Sequence, residues 1–420
     1  MDTILTNIGK LCTPVGNCAA KGDKQGEISE ISDAAIGITD GEISFVGPMS
    51  ELSNTLSDNV DSSEPTIIDC GGKLVTPGLV DAHTHLVFGG WRQSEFGLKL
   101  AGVAYLDILK SGGGILRTVE QTREADETEL VARGEKFLAE MLSLGVTTCE
   151  AKSGYGLCMK DELKQLRVIR KLNESQPIDI ASTFMGAHTV PKEFSENREG
   201  YIDLVIHEML PVVAREGLAE FCDIFCESAV FTPEESKLIL TEAKKHGLTP
   251  KIHADEIDPI GGAEIAAEVG AISAEHLIMA SGDGIIKMAE KDVVAVLLPA
   301  TSFYLDKPYA RARDMIKSSL AVAVATDFNP GSSPSLNIQL SMNLACLKYK
   351  LTPTEALTAV TLNGAAAINK AEYCGSIEVG KAADIVVWDA PDLDYLFYRY
   401  GSNLTDKVIK NGRVAYYANV

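Results

Sequence analysis

Near both ends of the chain, apolar and polar positions alternate with a period of two. In "AAIGITDGEISFVG" the alternation runs on either side of Asp40–Gly41, a dipeptide that predicts a two-residue hairpin turn. The Ser- and Asp-rich stretch from Ser53 to Pro65 reads as a loop. "GSIEVGKAADIVVWDA" and "KVIKNGRVAYY", the second with an Asn411–Gly412 turn, predict strands towards the other end. Two β-rich ends around a long middle predict one small β-sandwich domain assembled from both, residues 1–74 and 371–420.

The middle, residues 75–370, has a different rhythm. Short apolar or β-branched runs fall near 76–82, 146–150, 179–186, 221–226, 248–253, 271–276, 292–298 and 321–326. Between them lie amphipathic segments such as "ETELVARGEKFLAEMLSLG", "KDELKQLRVIRKLNE" and "PEESKLILTEAKKHG", with Gly145 and Gly247 where helix ends are expected. Strand candidates alternating with helices, eight of them, predict a (β/α)8 barrel. A doubly wound sheet would carry a dinucleotide turn, and the glycine-rich "SGGGIL" lacks that spacing. A length of 420 residues suits one large barrel with a smaller companion.

Charge narrows the partners. The formal net charge of −21 repels a phosphate backbone and an anionic bilayer alike, so neither nucleic acid nor membrane is an expected partner. An anionic substrate must then be held by a specific local cation. Nine scattered cysteines, an odd count without a framework, read as reduced thiols of a cytoplasmic protein. Cys222 and Cys226 have no second pair to close a zinc site. The start of the chain, with Asp2 and a short Ile4–Leu5 patch, reads as no signal peptide, and no run reaches transmembrane length. A homodimer is possible, but no interface is legible.

Candidate chemistry sits on the histidines. Of seven, His83, His85, His253 and His276 stand at the C-terminal ends of predicted strands, and His188 lies just beyond one; barrel active sites form at that face. His207 and His246 fall in helical segments and read as surface residues. His83 and His85, two apart on a predicted strand, point the same way and can share one metal. With His253 and Asp327 they make three nitrogens and a carboxylate, a set suited to one zinc or iron ion with a position left for water. Alone, Asp327 could equally be a turn residue before Asn329–Pro330–Gly331. Glu256, three beyond His253 in "HADE", is placed as a general acid/base, and Asp327 can also take a proton. His276 reads either as a ligand of a second metal or as the group that orients water or a carbonyl. A second metal needs a bridging carboxylate; Glu227 is the nearby candidate, and one metal is the simpler reading.

"TPGLVDAHTH", "HADE", "SAEH" and "ATDFNPGS" resemble the amidohydrolase superfamily in order and spacing, over essentially the whole chain. "HLVFGGWRQSEF", "GVAYLDILKSGGGILRTV", "EAKSGYGL", "FMGAHTVP" and "DFNPGSSPS" resemble, within it, the hydrolases of histidine degradation that open 4-imidazolone-5-propanoate to N-formimidoyl-L-glutamate. That resemblance implies His83, His85, His253 and Asp327 as ligands of zinc or iron, with Glu256 and His276 in catalysis. It further implies substrate contacts from Arg92, Tyr155, His188, Asn329, Gly331 and Ser332, with Tyr105 a weaker candidate. The residue chemistry agrees: Arg92 can hold the substrate's propionate bidentately, and Tyr155 between two glycines reads as an exposed phenol on a flexible loop. Two other readings share parts of this pattern. A deaminase of an aminated heterocycle of the guanine or cytosine type would use the same ligands and the same H-x-x-E, but not Arg92, Tyr155 and His188. A catalytically dead assembly protein would show gaps among the ligands, and none is seen.

Overall fold

The computed structural model describes residues 1–56, 64–102, 113–228 and 230–418. In chain order the strands are β1 (Thr3–Pro14), β2 (Ile28–Thr39), β3 (Glu42–Pro48), β4 (Thr66–Pro77), β5 (Leu79–Asp81), β6 (Val146–Lys152), β7 (Asp179–Ala187), β8 (Phe221–Cys226), β9 (Thr249–Ala254), β10 (Ser273–His276), β11 (Val294–Leu297), β12 (Val322–Val324), β13 (Ile385–Trp388), β14 (Thr405–Lys410) and β15 (Arg413–Tyr417).

Both ends of the chain enter one sheet, ordered β15-β14-β13-β4-β1-β2-β3. The expected sandwich is thus a single hydrogen-bonded sheet. Register shifts such as that between Leu5 and Ile8 let it curl around a core that includes Leu5, Ile36, Ile43, Val387 and Ile409. The two turns read from sequence are present: Asp40 and Gly41 have φ of 51° and 83°, Asn411 and Gly412 of 48° and 75°, left-handed pairs that match the twist of tight hairpins. The Ser- and Asp-rich loop starts later than expected, because helix Met49–Leu56 takes its first residues; residues 57–63 lie outside the described set.

β5 to β12 form the second sheet, all parallel, in sequence order. The three expected helices run Glu127–Ser143, Met159–Ser175 and Pro233–Lys245. Asp126 caps the first, and a Thr232–Glu235 capping box starts the third. Helix Leu362–Ala367 packs against the barrel strands from within one apolar cluster that includes Val80, Val296 and Ala323. Gly364 allows that approach, since a Cβ there would lie 2.9 Å from the Val80 carbonyl oxygen. All nine cysteines are unpaired, Cys222 and Cys226 among them. No helix among the described residues is long and apolar enough to cross a membrane.

The barrel closes between β5 and β12 through the chain just beyond them. Asp327 N donates to His83 O at 3.0 Å and His85 N to Phe328 O at 2.8 Å. Beneath these bonds the buried carboxylate of Asp81 accepts from Thr326 N at 3.0 Å and from Thr326 Oγ1 at 2.6 Å. Asp81→Ala would leave both donors buried without a partner, at about 1–3 kcal/mol each. We expect it to lower stability by roughly 2–4 kcal/mol, and Asp81→Asn, which keeps one acceptor, to lose less; denaturant unfolding of both variants beside the parent checks this.

Candidate metal centre and active site

The closure seam assembles the centre. His83 and His85 lie just past β5, not on it as expected, yet they share a side because Thr84 between them bridges Phe328 and keeps the segment extended. Asp327 follows β12 by three residues, with φ of 54°. His253 lies within β9, and His276 ends β10 with φ of 68°. Asp327 Oδ1 lies 3.4 Å from His83 Nε2 and 3.7 Å from His85 Nε2, while Thr301 Oγ1 donates to its other oxygen at 2.6 Å. His253 Nε2 is 3.4 Å from His85 Nε2. Ring centroids of His83 and His253 are 4.6 Å apart, and those of His253 and His276 5.3 Å. Three overlapping triads result among the described residues, His83–His85–Asp327, His83–His253–His276 and, on the far side of His253, Asp223–His253–Glu275, each with its ligand atoms within 4.8 Å of one another.

Burial and neighbouring charge set the protonation of these groups in different directions. Burial holds His83, His85 and His276 well below the ordinary histidine value, so each is neutral with a lone pair to give. Burial also acts against protonated His253, but the Asp223 carboxylate outweighs it and raises that residue. Among the described residues, neither ring nitrogen of buried His83 has a hydrogen-bond partner. Such an orphan is costly unless something else takes its lone pair. Burial pushes Asp327 up to about 6; burial, then the charge of Asp327, pushes Glu256 up to about 8. A dication in their midst would oppose both shifts. Three imidazoles, one carboxylate and unpartnered nitrogens fit a single divalent ion.

Glu256 and His276 stand together at the mouth, with Oε2 and Nε2 3.5 Å apart. At 16 % the Glu256 side chain is more exposed than the histidines and Asp327, which are at 4 % or less. Glu227 accepts from the backbone N–H groups of Ser228, Ile257 and Asp258. Its carboxylate braces the loop that carries Glu256, and among the described residues it is in none of the groups of closely spaced ligand atoms.

The other sequence candidates fall on two walls. Tyr155 and His188 pack with His85: the His85 and His188 rings stack at 4.9 Å, and Tyr155 lies 5.8 Å from His85 and 5.3 Å from His188. The loop of Tyr155 is not the flexible one expected. Glu162 accepts from the N–H groups of Gly154, Gly156 and Leu157, and Gln165 accepts from that of Tyr155; the tyrosine itself is buried. Burial pushes His188 down to about 3. Its Nδ1 faces the Gly154 carbonyl oxygen at 3.0 Å, so Nδ1 carries the proton and Nε2 is an acceptor.

Arg92 and Gly331 line a cavity of about 360 Å³ together with Trp91, Phe96, Tyr304 and Pro330. Glu95 holds the guanidinium from one side, taking Nε at 3.1 Å and Nη2 at 2.8 Å, and Nη1 is turned to Gly331, where a Cβ would come within 2.3 Å of it. Asn329 organises that loop. Its oxygen accepts from Gly331 N and Ser332 N, and its nitrogen donates to Asp327 O and Ser332 Oγ. Arg92 and Asp327 are thereby tied to one short loop. Tyr105 lies outside the described residues. His207 and His246 are exposed, as expected.

One set of residues was not anticipated. Glu150, Lys152, Asp223, Lys251 and Glu275 are fully buried inside the barrel, where Asp223 Oδ2 lies 3.1 Å from His253 Nδ1. The signal was available: polar or charged residues take alternate positions at Glu150 and Lys152 in "EAK", Lys251 and His253 in "KIH", and Ser273 and Glu275 in "SAEH".

Comparison with known proteins agrees with this architecture. The family model "Amidohydrolase family" matches residues 74–415. Proteins named imidazolonepropionase match at 52 % identity in Brevibacillus brevis and 50 % in a Geobacillus species, each over 98 % of this chain and 97 % of the relative. A crystal structure of an adenosine deaminase from Xanthomonas campestris with bound zinc is similar in fold, with a TM-score of 0.70 at 18 % identity over 98 % of this chain and 92 % of that one. With the family model over most of its length and half its residues shared along nearly all of it, the chain belongs to the amidohydrolase family and, within it, to the group of the imidazolonepropionases.

Proposed function

We propose that this protein hydrolyses the cyclic amide carbon–nitrogen bond of 4-imidazolone-5-propanoate, giving N-formimidoyl-L-glutamate in histidine degradation in the cytoplasm. The observation that carries the substrate assignment is Arg92. In a chain of net charge −21, this guanidinium is fixed by Glu95 beside Gly331, on the same loop system as Asp327. It supplies the local cation that a propionate requires. A ring opened without amine loss leaves that carboxylate in place, whereas an aminated base would bring none.

His83, His85, His253 and Asp327 would hold one divalent ion, zinc or iron. Bound there, such an ion lowers the pKa of water and polarises a carbonyl. The chain's own groups do the remainder. Glu256, mouth-facing and beside Asp327, takes the proton from the attacking water and delivers it to the ring nitrogen as the carbonyl–nitrogen bond breaks. His276 orients the carbonyl oxygen. His188, neutral with an Nε2 acceptor, receives a substrate N–H, and the Tyr155 phenol closes the same wall. Gly331 and Ser332 contact the substrate from the loop that Asn329 shapes. Residues 75–370 carry the chemistry, and 1–74 with 371–420 form its β companion.

The first test follows the imidazolone absorbance when fresh substrate meets metal-loaded protein. Rapid loss without ammonia is expected, while ammonia from a panel of aminated bases and an inert imidazolone would overturn the assignment. Arg92→Ala should lower kcat/KM by about 100-fold, mostly through KM, the worth of two charge-assisted hydrogen bonds. Glu256→Gln should cut kcat by roughly 10²–10⁴-fold with metal content unchanged. Loss of metal in that variant would move Glu256 into the ligand set. Chelation should abolish turnover, and zinc or ferrous iron should restore it.

A further inference from the structure

His253 presents its two ring nitrogens to different surroundings. Nε2 lies 3.4 Å from His85 Nε2, and Nδ1 makes a 3.1 Å charged contact with Asp223 Oδ2 that is not aligned as a hydrogen bond. Asp223 is itself held from several directions: Oδ1 accepts from Ile224 N at 2.7 Å and His253 N at 3.2 Å, and Oδ2 takes Lys152 Nζ at 2.6 Å. The second anchor of Lys152 is Glu150, at 2.8 Å. Glu150 in turn lies 3.3 Å from Lys251, which lies 3.2 Å from Glu275. The chain of contacts thus begins and ends next to a centre residue, since Asp223 meets His253 and Glu275 precedes His276.

All five charges are fully buried. Pairing does not make such a network a gain in stability, because each ion's desolvation offsets most of its attraction, and apolar residues of similar volume commonly do as well. Three carboxylates stand against two ammonium groups, so formal charge does not balance within the network. The excess is negative, and Asp223 meets the centre through the nitrogen of His253 that points away from His85.

We propose that Asp223 is a positioning residue for His253: it holds the Nδ1 proton, so that the Nε2 lone pair is turned towards His83 and His85, and Lys152 fixes Asp223 in that orientation. This rests on the reading of His253 as a metal ligand. Carboxylates that receive the second nitrogen of a metal-binding histidine set its tautomer and ring orientation, and their loss typically costs about 10–100-fold in affinity. Asp223 touches no substrate residue, so its effect on catalysis should appear in metal affinity and kcat, with KM unchanged.

The test is zinc and cobalt affinity by chelator competition for the parent, Asp223→Asn, Lys152→Met and the double variant, together with ring-¹⁵N spectra of histidine-labelled protein. Seven histidines make assignment tractable. The parent should bind one ion and show His253 with its proton on Nδ1. Asp223→Asn should bind roughly 10–100-fold more weakly, and the double variant should be no weaker than the weaker single one, since both act through one contact. A parent that binds no metal would sink the ligand assignment itself. A parent that binds metal while Asp223→Asn keeps full affinity would overturn only the positioning role. Should the variants fail to fold, a metal-free parent whose neutral His253 carries its proton on Nε2 and not on Nδ1 overturns it as well.

Discussion

Everything at the centre depends on how the barrel closes. The first and last strands are short, three residues each, and the seam between them is made by the segments that follow. Two backbone hydrogen bonds, Asp327 to His83 and His85 to Phe328, join parts of the chain separated by most of the barrel. The Asp81 carboxylate, bonded to Thr326 across 245 positions of sequence, supports them from below. Because the same few residues close the sheet and bring His83, His85 and Asp327 together, a barrel that fails to close has no centre. The left-handed backbone at Asp327 belongs to this arrangement: its N–H is committed to His83 while its side chain turns back to the same histidine.

A second constraint is burial. The centre is nearly dry, which keeps His83, His85 and His276 neutral and raises Asp327 and Glu256. Those states suit metal binding and proton transfer, and they exact a cost in stability that surrounding structure must meet. The barrel interior divides accordingly. Val80, Val294, Val296 and Ala323 fill one part with small apolar side chains, while Glu150, Lys152, Asp223, Lys251 and Glu275 fill the rest with paired charges. Outside the strands, Leu, Ile and Met side chains pack the helices and bear the ordinary burden of the hydrophobic core.

Much of this was legible in the residues. Eight runs rich in apolar residues gave eight strands near their expected places, because parallel strands buried on both faces draw mainly on apolar and β-branched residues. The paired turns Asp40–Gly41 and Asn411–Gly412 were legible because few other dipeptides tolerate two left-handed residues in succession. His83, His85, His253 and Asp327 stood out because histidine is scarce here and each sits at or just beyond a strand end. The buried charges were passed over, since each alone looks like a surface residue. The clamp of Glu162 on the Tyr155 loop and that of Glu227 on the Glu256 loop were equally hidden, because a carboxylate's backbone partners cannot be inferred from its neighbours in sequence.

By itself, then, the sequence determined the elements, their order, the candidate ligands and the expectation of one local cation, because periodicity, turn chemistry and net charge are local or additive properties. The tertiary structure alone decided which atoms meet. It decided that Arg92 is shared with Glu95, that Asn329 spends its amide on its own loop, that Glu227 braces the loop of Glu256, and that Asp223 stands behind His253. The first two are set within single loops and the last two join residues thirty positions apart, but all four depend on side-chain directions and distances that only the folded barrel sets.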